Sequence, residues 1–390
     1  MNARERFLAI MNFEKADRTL FWEMGYWKDT LERWYSEGLP KGEDVTSGLK
    51  PGEGVRAESA PHKIFPPDMP RDTDVHTYFG FDPGLVCLPV NSVLELPFER
   101  KVIEEEKDYV IYQDEHGVTK KMNKMAPSRP QYLRWPAQDR QGFEALKQRL
   151  VPSLKDRIPP DWKGLIRKYS HRDHPLTLGG YPCGFYGMLR FLMGEEQLLL
   201  NFYDDPNLVR DFMNTLADFW IELWGQALSE IKVDCVNFWE DMAYRTGPLI
   251  SPQMFREFML PPYQKLTSFL RSLGISIFIV DSDGNLEKLI PLFLEAGITA
   301  LFPFEVQAGN DIVSIRRKYP RLQILGGIDK MRIAQGKKAI DEELNSKVPF
   351  MLRSGGYIPH IDHHVHPDIS WKDFVYYRTR LNEMIRAADP

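Results

Sequence analysis

From about residue 175 onward the chain repeats one pattern: a short apolar run, an acidic or histidine residue just past its end, then a helical stretch. Residues 176–180 read as a strand, and residues 233–239 as another that ends in Glu240-Asp241. Residues 275–280 end in Asp281-Ser282-Asp283-Gly284, and 300–304 end in Glu305. Residues 323–326 run into Gly327-Ile328-Asp329-Lys330, and 357–361 into a histidine cluster. Helical periodicity over 187–193, 206–231, 252–273, 285–296 and 371–385 separates these runs. Consecutive β-α units of this length require a parallel sheet. Polar residues past the C-terminal end of strand after strand predict a single (β/α)8 TIM barrel, whose reactive face is built from those loops. An open doubly wound sheet, the other arrangement, would gather its site at one crevice. No G-x-G-x-x-G follows a strand, so a dinucleotide site is not supported.

Residues 1–390 are read as one barrel domain, with 1–90 as an N-terminal extension packing on it. That extension has helical segments at 3–12 and 30–37 and a Pro/Gly-rich stretch over 51–70. Residues 94–122 alternate polar and apolar, with a hairpin expected around 110–112 and 117–119. A net charge of -5 without a basic segment excludes nucleic acid as a partner. No run approaches the ~18 apolar residues of a membrane span, and the first residues carry no signal-like apolar core. Cys87, Cys183 and Cys235 are far apart, which points to a reducing, cytoplasmic setting.

Four of the nine histidines fall within 360–366, in the loop between the last strand and the last helix. Any one of them is more simply a satisfied core or turn residue; the cluster reads as a site. Asp281-x-Asp283 alone is equally well explained by capping of the next helix. In a barrel, however, Glu240, Asp281, Asp283, Glu305 and His363 converge on one mouth, and carboxylates crowded there need a cation, a proton or a basic partner. Oxygen and nitrogen donors together would suit zinc or another divalent ion. Lysine and arginine are sparse at these strand ends, Lys330 and Arg245 being the main candidates. Aromatics are plentiful: Trp22, Tyr26, Tyr181, Trp239, Phe304 and Tyr357, with His360 and His366, are the expected substrate-facing residues. They suggest a flat, apolar or aromatic substrate.

Three segments resemble the uroporphyrinogen decarboxylase superfamily: the opening Arg4-Glu5-Arg6-Phe7-Leu8-Ala9-Ile10-Met11-Asn12-Phe13-Glu14-Lys15-Ala16-Asp17-Arg18, the stretch Pro248-Leu249-Ile250-Ser251-Pro252-Gln253-Met254-Phe255-Arg256-Glu257-Phe258, and His363-His364-Val365-His366-Pro367-Asp368-Ile369-Ser370. The resemblance implies one (β/α)8 barrel, and either a true decarboxylase or a zinc-dependent methyltransferase acting with a corrinoid protein. True decarboxylases carry two arginines in an M-R-Q-A-G-R segment. Here Met24-Gly25-Tyr26-Trp27 stands in its place with neither, so porphyrinogen decarboxylation is not expected.

In the coenzyme M type of corrinoid-linked methyltransferase, an H-x-C and a late Cys hold zinc. The resemblance puts those positions on Asp281-Ser282-Asp283 and His363. Losing both thiolates makes a bound ion a harder Lewis acid, suited to an ether oxygen rather than a thiol. The expectation is therefore a methyltransferase that demethylates a methoxylated aromatic and passes the methyl group to cob(I)alamin on a partner corrinoid protein. Asp281, Asp283 and His363 would hold Zn2+ or another divalent ion, with Glu305 or Glu240 as further ligand, and His360 or His366 would hydrogen-bond behind them. The alternatives are a decarboxylase of a small aromatic or porphyrin-like acid, with Asp283 or His363 as proton donor, and a non-catalytic barrel subunit. A homodimer is left open.

Overall fold

The computed structural model describes residues 1–49, 53–58, 71–95, 97–124 and 130–388. The Pro/Gly-rich stretch expected over 51–70 lies mostly outside them. Strands β1 (Gly25–Trp27), β2 (Gly54–Ala57) and β3 (Arg71–Asp72) form a small sheet in that order. After β4 (Val86–Cys87) come β5 (Lys101–Glu105), β6 (Tyr109–Gln113), β7 (Thr119–Asn123) and β8 (Gln131–Arg134), an antiparallel meander. The expected hairpin is thus the centre of a four-stranded sheet. Its outer strands are missed by pattern because both are exposed along their whole length.

The remaining strands are β9 (Leu176–Gly179), β10 (Cys235–Trp239), a short pair β11 (Ala243–Tyr244) and β12 (Gly247–Pro248), then β13 (Phe278–Asp281), β14 (Ala300–Phe302), β15 (Gln323–Leu325) and β16 (Tyr357–Ile358). Six of these pair in parallel with β4, in the order β16-β15-β14-β13-β10-β9-β4, a curled sheet wrapped by helices. This is the TIM-barrel architecture expected from the strand-end pattern, with seven strands in the ladder. Between its two outer strands runs a buried extended segment. The Thr19 hydroxyl donates to the Tyr357 carbonyl at β16 (2.8 Å), and the Trp22 indole donates to the Pro83 carbonyl beside β4 (3.0 Å).

Alternation along the strands separates two cores. Cys235, Ile277, Ile279, Ala300, Phe302, Leu325 and Ile358 pack together with Phe7 and Met11 of the helix Ala3–Met11. Their neighbours Val236, Phe238, Phe278, Val280, Leu301 and Ile324 face the surrounding helices. A third core joins β1 and β2 to the last helix, Trp371–Ala387.

Two helices depart from expectation for a reason visible in the sequence. The stretch expected over 252–273 is interrupted by a π-turn at Phe255–Met259. It lies just before Pro261-Pro262, whose missing N–H groups leave the ordinary helical ladder incomplete. The stretch expected over 285–296 is helical only over Ile290–Glu295, with Pro291 in its first turn, where a missing N–H costs nothing. No helix among the described residues is long and apolar enough to cross a membrane.

Candidate active site

At the end of β10 the period of two decides which acidic residue faces the mouth. Glu240 continues the outward series of Val236 and Phe238 and is completely buried. Its carboxylate accepts the backbone N–H groups of Phe185 and Gly187, both 2.8 Å, and the Tyr263 hydroxyl. It caps the N-terminus of the helix Phe185–Met193, where a carboxylate meets unsatisfied N–H groups and a favourable dipole. The expected catalytic role of Glu240 is therefore not met. Asp241, at φ 42°, turns the other way, and Arg190 donates to both its carbonyl (2.6 Å) and its carboxylate (2.7 Å).

Asp281 ends β13, and Asp283 follows in the loop before Gly284. His363 Nε2 lies 3.5 Å from Asp283 Oδ2. These two side chains line the open mouth, being 22% and 37% exposed respectively. Glu305 sits at the next strand end. It accepts the Gly284 N–H (3.0 Å) and lies 3.6 Å from Lys330 Nζ, which is also 3.4 Å from the buried Asp362. Three of the expected residues, Asp281, Asp283 and His363, thus come together, with Glu305 one ion pair away. Arg245 is exposed in the β11–β12 turn and takes no part.

One basic residue at the mouth was missed. Arg56 of β2 stands across the ladder from Gly25 and faces Asp281 and Asp283. Its Nη1 lies 3.4 Å from His364 Nε2. The His364 ring stacks on Trp27 (4.8 Å between centroids) and fits against Gly25 and Gly54, where an added Cβ would come within 2.8 and 3.1 Å of it. Burial pulls the Arg56 guanidinium down to about 10, while the two aspartates resist that shift.

Burial, then the negative charges of Asp283 and Asp241, push Asp281 well above the ordinary carboxylate range. Asp241 is raised in the same way, by burial and by Asp283. Burial would raise Asp283 too, but the hydrogen bond and charge of His363, with Lys330 and Arg190 beyond, hold it below its usual value. His363 is raised against its own burial by the same contact. Of the three carboxylates, Asp281 is thus the one pushed furthest toward its neutral form, by burial first and by Asp283 and Asp241 next.

Among the described residues no three His, Cys, Asp or Glu side chains are gathered as a ligand set. Asp283 and His363 meet as an ion pair, Asp281 joins them through its charge, and Glu305 is held by Gly284 and Lys330. As folded, this donor set does not fit the divalent ion expected on Asp281, Asp283, His363 and Glu305. Arg56, Arg190, Lys330 and His363 supply the positive charge instead.

Most of the aromatic residues expected to face substrate are core. Trp22 is buried against Phe7 (5.8 Å), Tyr26 between Trp34 and Phe374 (5.4 and 6.0 Å), and Phe304 among the outer helices. The buried Tyr357 donates to the Gly326 carbonyl. His360 is buried with Nδ1 on the Ile361 carbonyl (2.7 Å), and burial pulls it down to about 4. His366 is 43% exposed beside Asp368 (3.1 Å), away from the mouth. His366→Ala should therefore change stability by less than about 0.5 kcal/mol and leave activity unaltered, checked by thermal melting and turnover. Tyr181 and Trp239, by contrast, line a cleft. Their rings meet edge to face at 4.6 Å in a cleft of about 1520 Å3 that runs beneath the β5–β8 sheet to Arg190 and Asp241.

The uroporphyrinogen decarboxylase (URO-D) family model matches residues 133–376, more than half of the chain. The chain belongs to the uroporphyrinogen decarboxylase family. Within the URO-D match lie Arg190, Asp241, Asp281, Asp283, Glu305, Lys330 and His363; Arg56 and strands β5 to β7 precede it. Among solved structures, a methyltransferase from Methanosarcina mazei is similar at 14% identity, with 98% of this chain and 99% of that chain covered and a TM-score of 0.56. At that identity the likeness shows the shared fold. A Listeria monocytogenes protein assigned as a vitamin-B12 independent methionine synthase is 12% identical over 57% of this chain and 69% of that one, with a TM-score of 0.32, too slight to carry an argument. No curated protein matches the chain.

Proposed function

We propose that this URO-D family member is a corrinoid-dependent methyltransferase that takes the methyl group of a methoxylated aromatic. The observation that carries the reading is the junction at Asp241. There a cleft walled by Tyr181 and Trp239 reaches Asp241, which lies beside the Asp281, Asp283 and His363 cluster. The cleft suits a flat, largely apolar donor, and the cluster suits the task that makes an unactivated ether react, which is stabilising the departing oxygen.

The nucleophile is supplied by cob(I)alamin on a partner corrinoid protein. As its electron pair forms the bond to the methyl carbon, the carbon–oxygen bond breaks and that pair stays on the aryl oxygen. Asp281 gives this oxygen its proton, and the phenol leaves. Asp283 holds His363 in place and, with Arg56, fixes the charge around Asp281. The β5–β8 sheet covers the β4, β9 and β10 side of the mouth. The partially exposed Asp283 and His363 lie on the other side, where a partner protein can approach.

The test is direct. Purified protein with cob(I)alamin and a panel of methoxyarenes, methanol and methylamines should convert the Co(I) spectrum to that of methylated cobalamin, fastest with methoxyarenes. Turnover should survive chelation. One zinc per chain together with loss of turnover on chelation would restore the metal reading and overturn the proton-donor role of Asp281. Methanol or a methylamine outpacing every methoxyarene would sink the donor class. Carbon dioxide release from an aromatic acid, without methyl transfer, would favour the decarboxylase reading, for which Arg56 and Lys330 offer positive charge.

A further inference from the structure

The cleft is far larger than one methoxylated ring needs, and the wall opposite the barrel is built from the β5–β8 sheet. Two of the places where that sheet reaches the cleft are the β6–β7 turn and β8. The turn between β6 and β7 carries His116, whose ring meets Phe191 edge to face at 4.9 Å. Asp114 pins this turn by accepting the N–H groups of His116 (3.0 Å) and Val118 (2.9 Å), and Lys120 lies 2.6 Å from the same carboxylate. At the other place, Tyr132 of β8 lies parallel to Trp135, with 5.9 Å between centroids and 10° between planes. The Trp135 indole is seated on Gly194, where an added Cβ would come within 2.8 Å of it. Across the cleft, Tyr181 meets Phe191 and Trp239 edge to face at 5.9 and 4.6 Å. Two aromatic walls therefore face each other, one from the barrel and one from the sheet, and the His116 imidazole lines the same cleft.

We infer that the β5–β8 sheet is the substrate-recognition element, which slots an aromatic ring between Tyr132–Trp135 and Tyr181–Trp239 and reads a phenolic hydroxyl with His116. This rests on the methyl-transfer reading and names its substrate class: uncharged methoxyphenols, preferred over plain methoxybenzenes and over methoxybenzoates. Flat faces favour a flat ring. An imidazole that both donates and accepts can satisfy a hydroxyl beside the ring. Burial lowers the His116 imidazole, and the anions beside it, Glu115 at 4.0 Å and Asp114, disfavour a carboxylate ligand there. The cations beside His116 and Tyr181 are ion-paired, Arg190 with Asp241 and Glu195, Lys120 with Asp114 and Arg100 with Glu115, while Arg71, Arg157 and Lys168 also line the cleft.

Binding of 2-methoxyphenol, methoxybenzene and 4-methoxybenzoate to the full chain can be followed by tryptophan fluorescence in the absence of cobalamin. Wild type should bind 2-methoxyphenol most tightly. His116→Ala should weaken it about tenfold, to the level of methoxybenzene, and His116→Gln should restore part of the loss. Tyr132→Ala should weaken all three ligands alike. Unchanged affinity in both alanine variants would overturn the inference, as would tightest binding of 4-methoxybenzoate; circular dichroism checks that each variant is folded. The two readings fail separately. His116-dependent binding with no methylation of Co(I) removes the methyl-transfer proposal and keeps the site. Methyl transfer with an unaltered KM in His116→Ala removes the site and keeps the transfer.

Discussion

Asp283→Asn should lower methyl transfer by about 10²- to 10⁴-fold, the range over which a positioned proton-transfer group contributes, while leaving the melting temperature nearly unchanged. The substitution keeps the shape of the side chain and removes its charge. His363, 3.5 Å away, then loses the anion that holds it, and Asp281 loses a neighbour whose charge helps push it above the ordinary carboxylate range. Because Asp283 is 37% exposed, the fold does not depend on it. Steady-state rates with a methoxyarene and cob(I)alamin, beside a thermal melt, check both halves. A rate within a few-fold of wild type would remove Asp283 from the reaction, and a large fall in melting temperature would make it a structural residue instead.

Glu240→Ala should do the opposite, breaking the fold before the chemistry. It strips the partner from the Phe185 and Gly187 N–H groups and from the Tyr263 hydroxyl, all buried. At 1–3 kcal/mol for each stranded donor, and with a cavity left behind, the loss should be about 3 kcal/mol or more, lowering Tm by roughly 5 °C or more. The same residue sets a pH dependence. Burial raises the Glu240 carboxyl from 4.5 to about 7 against the pull of its hydrogen bonds. Between those values the folded protein holds a proton that the unfolded chain has released, so the contribution of Glu240 to stability is complete below about 4.5 and falls away as pH rises through about 7. Glu240→Gln cannot titrate and should lack that slope in denaturant unfolding measured between pH 4.5 and 7. An identical slope in both proteins would show that Glu240 is ionised throughout.

The barrel was legible because its signal repeats. Each apolar run from Leu176 to Ile358 is followed by polar residues, and only a parallel sheet with one reactive face explains that in every unit. Asp281, Asp283 and His363 were legible for the same reason. The choice between Glu240 and Asp241 was not, since both follow one strand and only the direction of the last pleat separates them. Trp22, Tyr26, Phe304 and Tyr357 were misjudged because an aromatic at a strand end reads the same in a core as in a pocket wall. Arg56 carried no local signal at all. It reaches Asp281 by strand pairing within a segment that pattern alone could describe only as irregular, and its approach depends on the bare backbone of Gly25 and Gly54 beside His364.

The stitching of the N-terminal segment onto the last loop sets the order in which a newly made chain can become active. Tyr26 bridges to Val365, the Thr30 hydroxyl donates to the Val365 carbonyl and the Trp34 indole to the Ile369 carbonyl. Until the ribosome has delivered that loop, the strands that carry Arg56 have nothing to lie against, and His363 does not yet exist. A nascent or C-terminally truncated chain can form the early strands and the β5–β8 sheet, yet its Asp281 and Asp283 lack His363 and a docked Arg56. Reactivity therefore waits for the loop at 363–369 rather than accumulating as the barrel grows.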